Sequence, residues 1–219
     1  MILRHLGRLG YAPALASQRE ARARVAAGGE DELLLLEHDP VVTLGRRGGV
    51  VDRAALERLA TPVVETRRGG LATWHGPGQV VGYPIVDLER ARLGVPAFVR
   101  RLGEVMIGAC AALGVGEVVY DDDRPGVYRD GRKLGSIGLH IRRGVTTHGF
   151  ALNICNTLDG FAAITPCGFA DLVVSTVSRE RGASVPFEDG LEVVARIATE
   201  RLSSAPGRPA SPRIPTRGS

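Results

Sequence analysis

Apolar positions along the chain change their spacing several times, and each change predicts an element. Ala12 to Ala27 ("APALASQREARARVAA") reads as a helix that stops at Gly28-Gly29. "ELLLLEH" is a short apolar run fit for a buried strand, and "PVVTLG" predicts another. "DRAALERLA" follows as a short helix and "TPVVET" as a strand. Arg67 to Gln79 ("RRGGLATWHGPGQ") reads as a long glycine-rich loop, and "VVGYPIVDL" returns to strand. Pro96 to Gly114 is the longest helix candidate, opened by proline and closed by glycine. From Val118 to Cys155 the pattern is that of a strand meander, with Asp130-Gly131 in "VYRDGRKL" signalling a tight hairpin. Ile137, Leu139 and Ile141 share one face, as do Phe150, Leu152 and Ile154. A last helix runs from about Phe187 to Leu202. Strands and helices mix without a regular βαβ rhythm, so the pattern predicts an α/β (α+β) fold, a mixed β-sheet with flanking helices.

Composition narrows the class. A chain of 219 residues, 44% hydrophobic, is long enough for one sizeable core, and one domain over residues 1–203 is expected. Residues 204–219 are rich in Pro, Ser and Arg and have the composition of a disordered end. The net charge of +4 includes three arginines of that tail, so the body is nearly neutral, and nucleic-acid binding is not expected. The three cysteines, Cys110, Cys155 and Cys167, form no CxxC pair, which argues against a disulfide framework and a zinc site. Cys110 falls on the apolar side of its helix and reads as a small core residue; Cys155 reads as a buried structural thiol. Neither a membrane-length apolar run nor a secretory signal is present, so a cytoplasmic location is expected.

One residue breaks the charge pattern. Of 28 cationic side chains, Lys133 is the single lysine; the other 27 are arginine. Guanidinium stays protonated, whereas an ε-ammonium can give up a proton in the right surroundings. Lys133 follows the hairpin turn and precedes Gly135 and Gly138, glycines of the kind that let a ligand approach a strand. Cys167 lies in "ITPCGF", on a turn whose backbone amides could hold an oxyanion. The two make a sensible pair, because thiolate is the nucleophilic form of cysteine. A cation about 4 Å away at an effective dielectric near 20 contributes about 4 kcal/mol, roughly three pKa units before desolvation opposes it. Such a pair suits acyl transfer to an amine. Trp74 and His75 sit in the glycine-rich loop, which suits a backbone wrapped around a ligand but lacks the phosphate-loop pattern. His75 and His148, each followed by glycine, read as hydrogen-bonding struts, although either could serve as the base of a Cys–His hydrolase.

Three blocks, "RRGGLATWHGPGQVVGYPIVDL", "GRKLGSIGLHIRRGVTTHGFALNI" and "ITPCGF", resemble the octanoyltransferases of lipoic acid synthesis. The likeness runs from the first strand and "YAPALASQ" to about "VSRERGASV". It implies a fold shared with lipoate ligases and biotin protein ligases. It implies transfer of an octanoyl group from octanoyl-acyl carrier protein to a lysine of a lipoyl domain, in 2-oxoacid dehydrogenase E2 subunits and the glycine cleavage H protein. Cys167 would carry the acyl thioester, and Lys133 would lower its pKa and move protons. Arg68, Gly69, Gly70, Leu71, Ala72, Thr73, Trp74 and His75 would line the substrate pocket, with Ser136, Ile137 and Gly138, and with Gly149, Phe150 and Ala151. No cofactor and no metal are implied. Trp74 and Ser136 depart from the expected tyrosine and alanine and could reshape the acyl pocket. An ATP-dependent ligase would need no cysteine nucleophile, and a carrier-binding module would form no acyl-enzyme.

Overall fold

The computed structural model describes residues 1–164 and 172–203. Its elements are β1 (Ile2–Leu9), α1 (Tyr11–Ala26), β2 (Glu32–His38), β3 (Val41–Leu44), α2 (Arg53–Arg58), β4 (Val63–Glu65), β5 (Thr73–His75) and β6 (Gln79–Ile85). They continue with α3 (Val95–Ala112), β7 (Val119–Asp121), β8 (Gly126–Arg129), β9 (Arg132–Arg142), β10 (Val145–Asn153), α4 (Asp159–Ala162), α5 (Val177–Arg181) and α6 (Phe187–Ser203). Cys167 and the tail over residues 204–219, both singled out by the sequence, lie outside the described residues.

A seven-stranded sheet has the order β1-β2-β6-β10-β9-β8-β7 and a three-stranded sheet the order β4-β3-β5. β1 runs parallel to β2 and β3 parallel to β4, while the other pairs are antiparallel, so both sheets are mixed. Why β2 is an unbroken leucine run follows from its position. Leu33 and Leu35 pack with α3 and α6 on one side of the sheet, and Leu34 and Leu36 with α1 on the other. A strand covered on both faces has no polar position to alternate with. α1 buries Tyr11, Ala14, Gln18, Ala21 and Val25, a stripe at helical spacing. The small sheet has its own core, with Val42, Leu56, Ala72, Trp74, Phe161 and Ile164.

The Asp130-Gly131 turn forms as the sequence predicts, with φ of 45° and 77°, the left-handed pair a two-residue hairpin needs. Four elements escaped the hydrophobic pattern, the first of them β1, where Arg4, His5, Gly7 and Arg8 interrupt the apolar positions. The glycine-rich loop contains β5, and α4 and α5 are helices of one turn or so, too short to show a period. Cys110 is buried as expected, but Cys155 is exposed, because β10 ends at Asn153 and the chain bends away from the sheet there. Among the described residues, no helix is long and apolar enough to cross a membrane.

Candidate active site

A cavity of about 300 Å³ lies between the two sheets, lined from β3, β5, β6, β9, β10 and the start of α1. That volume is at the small end of ligand pockets. Lys133 lines it, although only 3% of the residue is exposed. Regular alternation along β9 would deny the lysine this place. Gly135, Ile137 and Leu139 face the α3/α6 core, and Lys133 has the same parity. The register supplies the reason it turns. Tyr128 of β8 pairs with Lys133 and Val127 pairs with Gly135, so Leu134 is an extra residue, a β-bulge. One inserted residue reverses which face the next side chain takes. Lys133 therefore points into the cavity while Leu134 is fully buried in the core.

Gly126 makes room for it. A Cβ there would lie 2.8 Å from Lys133 Cε and 3.2 Å from Nζ, and would also collide with the Gly135 carbonyl oxygen. The ammonium sits 5.2 Å from the centroid of the Tyr128 ring, and the Arg124 guanidinium 5.1 Å from the same ring. The backbone of Lys133 is held by residues that follow the undescribed stretch. Its N–H donates to the Val173 carbonyl at 2.8 Å, and its carbonyl accepts from Ser175 N–H at 2.9 Å.

Most of the sequence-predicted pocket residues come together. Arg68, Gly70, Leu71, Ala72, Thr73 and His75 line the cavity from the small-sheet side. Ser136, Ile137 and Gly138 of β9 face Gly149, Phe150 and Ala151 of β10 across the sheet. Gly138 pairs with Gly149, and the Arg68–Gly69 loop crosses over that bare backbone, with Gly69 N–H donating to Leu139 O at 2.8 Å. Two predicted residues do not reach the cavity. Gly69 carries the crossing without lining it. Trp74 alternates with Thr73 and His75, so its ring points the opposite way, against Phe161 at 5.5 Å and over Gly160. The expected influence of Trp74 on acyl-pocket shape is thereby corrected: its side chain belongs to the small-sheet core.

The polar groups around the cavity form a hydrogen-bonded frame. Buried Arg68 donates to Thr43 through Nε at 3.1 Å and through Nη2 to its carbonyl at 2.5 Å, and through Nη1 to Gly69 O at 3.0 Å. His75 Nδ1 donates to Gln79 Oε1 at 2.7 Å; Gln79 Nε2 donates to Asn153 Oδ1 at 2.8 Å; Asn153 Nδ2 donates to Ser175 O at 3.0 Å. His38 Nδ1 donates to Leu9 O, leaving Nε2 to accept from the Tyr83 hydroxyl at 2.7 Å. His148 Nε2 shares a hydrogen bond with the Tyr11 hydroxyl at 3.0 Å. His148 has φ 59°, and this left-handed turn sends its ring to Tyr11 instead of the α3/α6 face that Phe150 and Leu152 occupy. Burial pushes His75 and His148 down to about 3, aided by the Arg68 charge in both cases and, at His75, by His38 ahead of it. Both are neutral struts at neutral pH, as their sequence context suggested, and poor candidates for a general base.

Both described thiols are held above their ordinary value. Burial pushes Cys110 up to about 12; Cys155, although the residue is exposed, is raised by partial burial of its sulfur and then by the charges of Glu37 and Glu188. Neither environment favours thiolate. Cys167 lies outside the described residues; the chain is described up to Ile164, bridged to Val51, and again from Leu172, with Val174 bridged to Lys133.

Sequence patterning missed Tyr11, Thr43, Tyr83 and the Asp123–Pro125 turn, all on the cavity wall. A tyrosine at a helix start or a threonine in a short strand carries no spacing signal. Only the sheet order brings them together.

The comparisons with known proteins agree with this geometry. Residues 10–198 match the lipoyl protein ligase A/B catalytic domain. The chain is 47% identical over 191 residues to an octanoyltransferase of Geobacter sulfurreducens, covering 87% of this chain and 80% of that protein. Its fold is similar to the bi-partite lipoate protein ligase of Thermoplasma acidophilum, with a TM-score of 0.69 at 16% identity, over 91% of this chain and 85% of that one. A more distant likeness links it to the biotin protein ligase of Aquifex aeolicus, with a TM-score of 0.55 at 12% identity, over 92% and 70% of the two chains. The chain belongs to the lipoyl protein ligase A/B catalytic domain family and, within it, to the octanoyltransferases.

Proposed function

We propose that residues 1–203 form one catalytic domain that moves an octanoyl group from octanoyl-acyl carrier protein to a lipoyl-domain lysine. The acceptors are the lipoyl domains of 2-oxoacid dehydrogenase E2 subunits and the glycine cleavage H protein. The observation that carries this reading is Lys133, the one lysine of the chain, turned by a bulge into the cavity between the sheets.

In the first half, Cys167 thiolate attacks the thioester carbonyl of the donor. Backbone amides near that turn hold the oxyanion, the carrier's sulfur leaves and takes up the proton of the Lys133 ammonium, and an acyl-enzyme remains beside a neutral Lys133 amine. In the second half, the acceptor amine attacks that thioester, Lys133 accepts the amine's proton, and Cys167 leaves as thiolate. Bonds and charges balance, and conversion of thioester to amide supplies the driving force, so the reading calls for neither ATP nor a metal. Seven apolar carbons buried in the cavity contribute roughly 5–6 kcal/mol of binding at about 0.8 kcal/mol each. The Cys–His hydrolase alternative has less support, because His75 and His148 are buried, held low and bonded to Gln79 and Tyr11.

The test is an intact-mass measurement after incubation with octanoyl-acyl carrier protein. A gain of one octanoyl group in wild type and none in Cys167→Ala is expected. An unmodified wild-type chain under conditions where the donor is intact would remove the acyl-enzyme from the account.

A further inference from the structure

We infer that Glu180 is a positioning residue for Lys133. This rests on the proposed role of the lysine and extends it to a carboxylate that does not itself line the cavity.

Glu180 stands in the first turn of α5, with 6% of its side chain exposed. It receives Arg132 through Nε and Nη2, each at 2.8 Å, a two-pronged grip on the residue just before the lysine. Its Oε1 also accepts from the Ser175 hydroxyl at 2.6 Å. Arg129, across the hairpin from Arg132, brings a third contact: its Nη1 donates to the Glu180 carbonyl at 2.6 Å, with Nε 3.8 Å from the carboxylate. One carboxylate thus joins β9 at residue 132 to the neighbouring segment at residue 175.

Those are the positions that flank the lysine's own backbone bonds, Lys133 N–H to Val173 O and Ser175 N–H to Lys133 O. Asn153 holds Ser175 from the other side, through its carbonyl. The bulge sets which way Lys133 points, and the clamp sets how tightly its backbone is pinned beside residues 173–175. Without the carboxylate, the Ser175 hydroxyl and the Arg132 guanidinium lose their shared partner, and the lysine's strand is free to shift against its neighbour. A shift of about 1 Å in such a group is enough to cost about 100-fold in rate.

The experiment compares octanoyl transfer as a function of pH for wild type, Glu180→Ala, Glu180→Gln, Ser175→Ala and Lys133→Met. Glu180→Ala is expected to lower kcat about 100-fold while KM for the octanoyl donor stays within about twofold, since no pocket residue changes. Its rising limb is expected to move to higher pH, because a lysine held farther away favours thiolate less. Glu180→Gln, which keeps a bond to Ser175 or Arg132, is expected to recover part of the loss, and Ser175→Ala to reproduce a smaller share of it. If Glu180→Ala fails to fold, Glu180→Gln and Ser175→Ala carry the comparison, with the same limb shift expected. A pH profile that superimposes on wild type, or a kcat lowered by one factor at every pH with the limb unmoved, overturns the positioning role. In either case a dead Lys133→Met leaves the proposed chemistry standing; a fully active Lys133→Met overturns that chemistry and the inference with it.

Discussion

At the scale of single residues, the chemistry depends on where one ammonium is aimed. Lys133 was legible in the sequence because it is the only lysine and follows a hairpin signal. Its direction was not, since the parity of β9 is reversed by one extra residue whose presence only the register reveals. His148 repeats the lesson, turned into the cavity by a positive φ that no pattern of apolar positions announces. The lysine's function is separable from its charge. Lys133→Arg keeps a cation near the site but removes the proton acceptor. The acyl-enzyme is then expected to form while transfer to the amine slows about 10²–10⁴-fold, measured by quenched single-turnover mass spectrometry. Gly126→Ala places a methyl group against Lys133 and the Gly135 carbonyl. Lowered activity and a loss of about 1–3 kcal/mol in urea unfolding are expected.

At the scale of elements, the long helices, the leucine strand and the short α2, β3 and β4 were readable, while β1, β5, α4 and α5 were not. α3 and α6 show helical spacing over many residues, α1 is marked by an alanine-rich run that stops at Gly28-Gly29, and β2 announces its burial by four consecutive leucines. β5 is three residues inside a glycine-rich stretch, and its existence depends on pairing with β3. That pairing decides the fate of the loop's side chains, sending Thr73 and His75 to the cavity and Trp74 to the core. Trp74→Phe is therefore expected to lower stability by about 1–2 kcal/mol while leaving the order of preference among acyl chain lengths unchanged. A competition assay with donors of different length checks this. A reordered preference would mean the indole reaches the acyl chain after all.

At the scale of the whole molecule, the cavity exists because two mixed sheets and α1 close around it, and the frame of that closure is built from neutral imidazoles. His75 and His148 have folded values of about 3, and burial lowers His38 as well, against an ordinary value of 6.5. The unfolded chain thus binds protons that the folded chain refuses, so stability falls as pH drops below about 6.5. Each imidazole contributes at most about 1.4 kcal/mol per pH unit. Between about pH 6.5 and 4.5 the slope is expected to come chiefly from these rings, because Glu180, lowered to about 2 first by Arg132, loses its contribution at more acid pH. Urea midpoints across that window, with His148→Gln expected to show a shallower slope, provide the check. The sequence carried the fold class through its periodicity, and most of the pocket through its resemblance to the octanoyltransferases. It did not carry the closure, which joins residues as distant as Tyr11 and His148. The most direct measurement of the central claim is a chase. Wild-type protein loaded with one octanoyl group is mixed with an apo lipoyl domain, and both masses are followed with time. The octanoyl mass should leave Cys167 and appear as an amide on the acceptor lysine, with Lys133→Arg stalled in the loaded form. Release of free octanoate, or an acceptor that gains mass while Cys167→Ala is as active as wild type, would contradict the account.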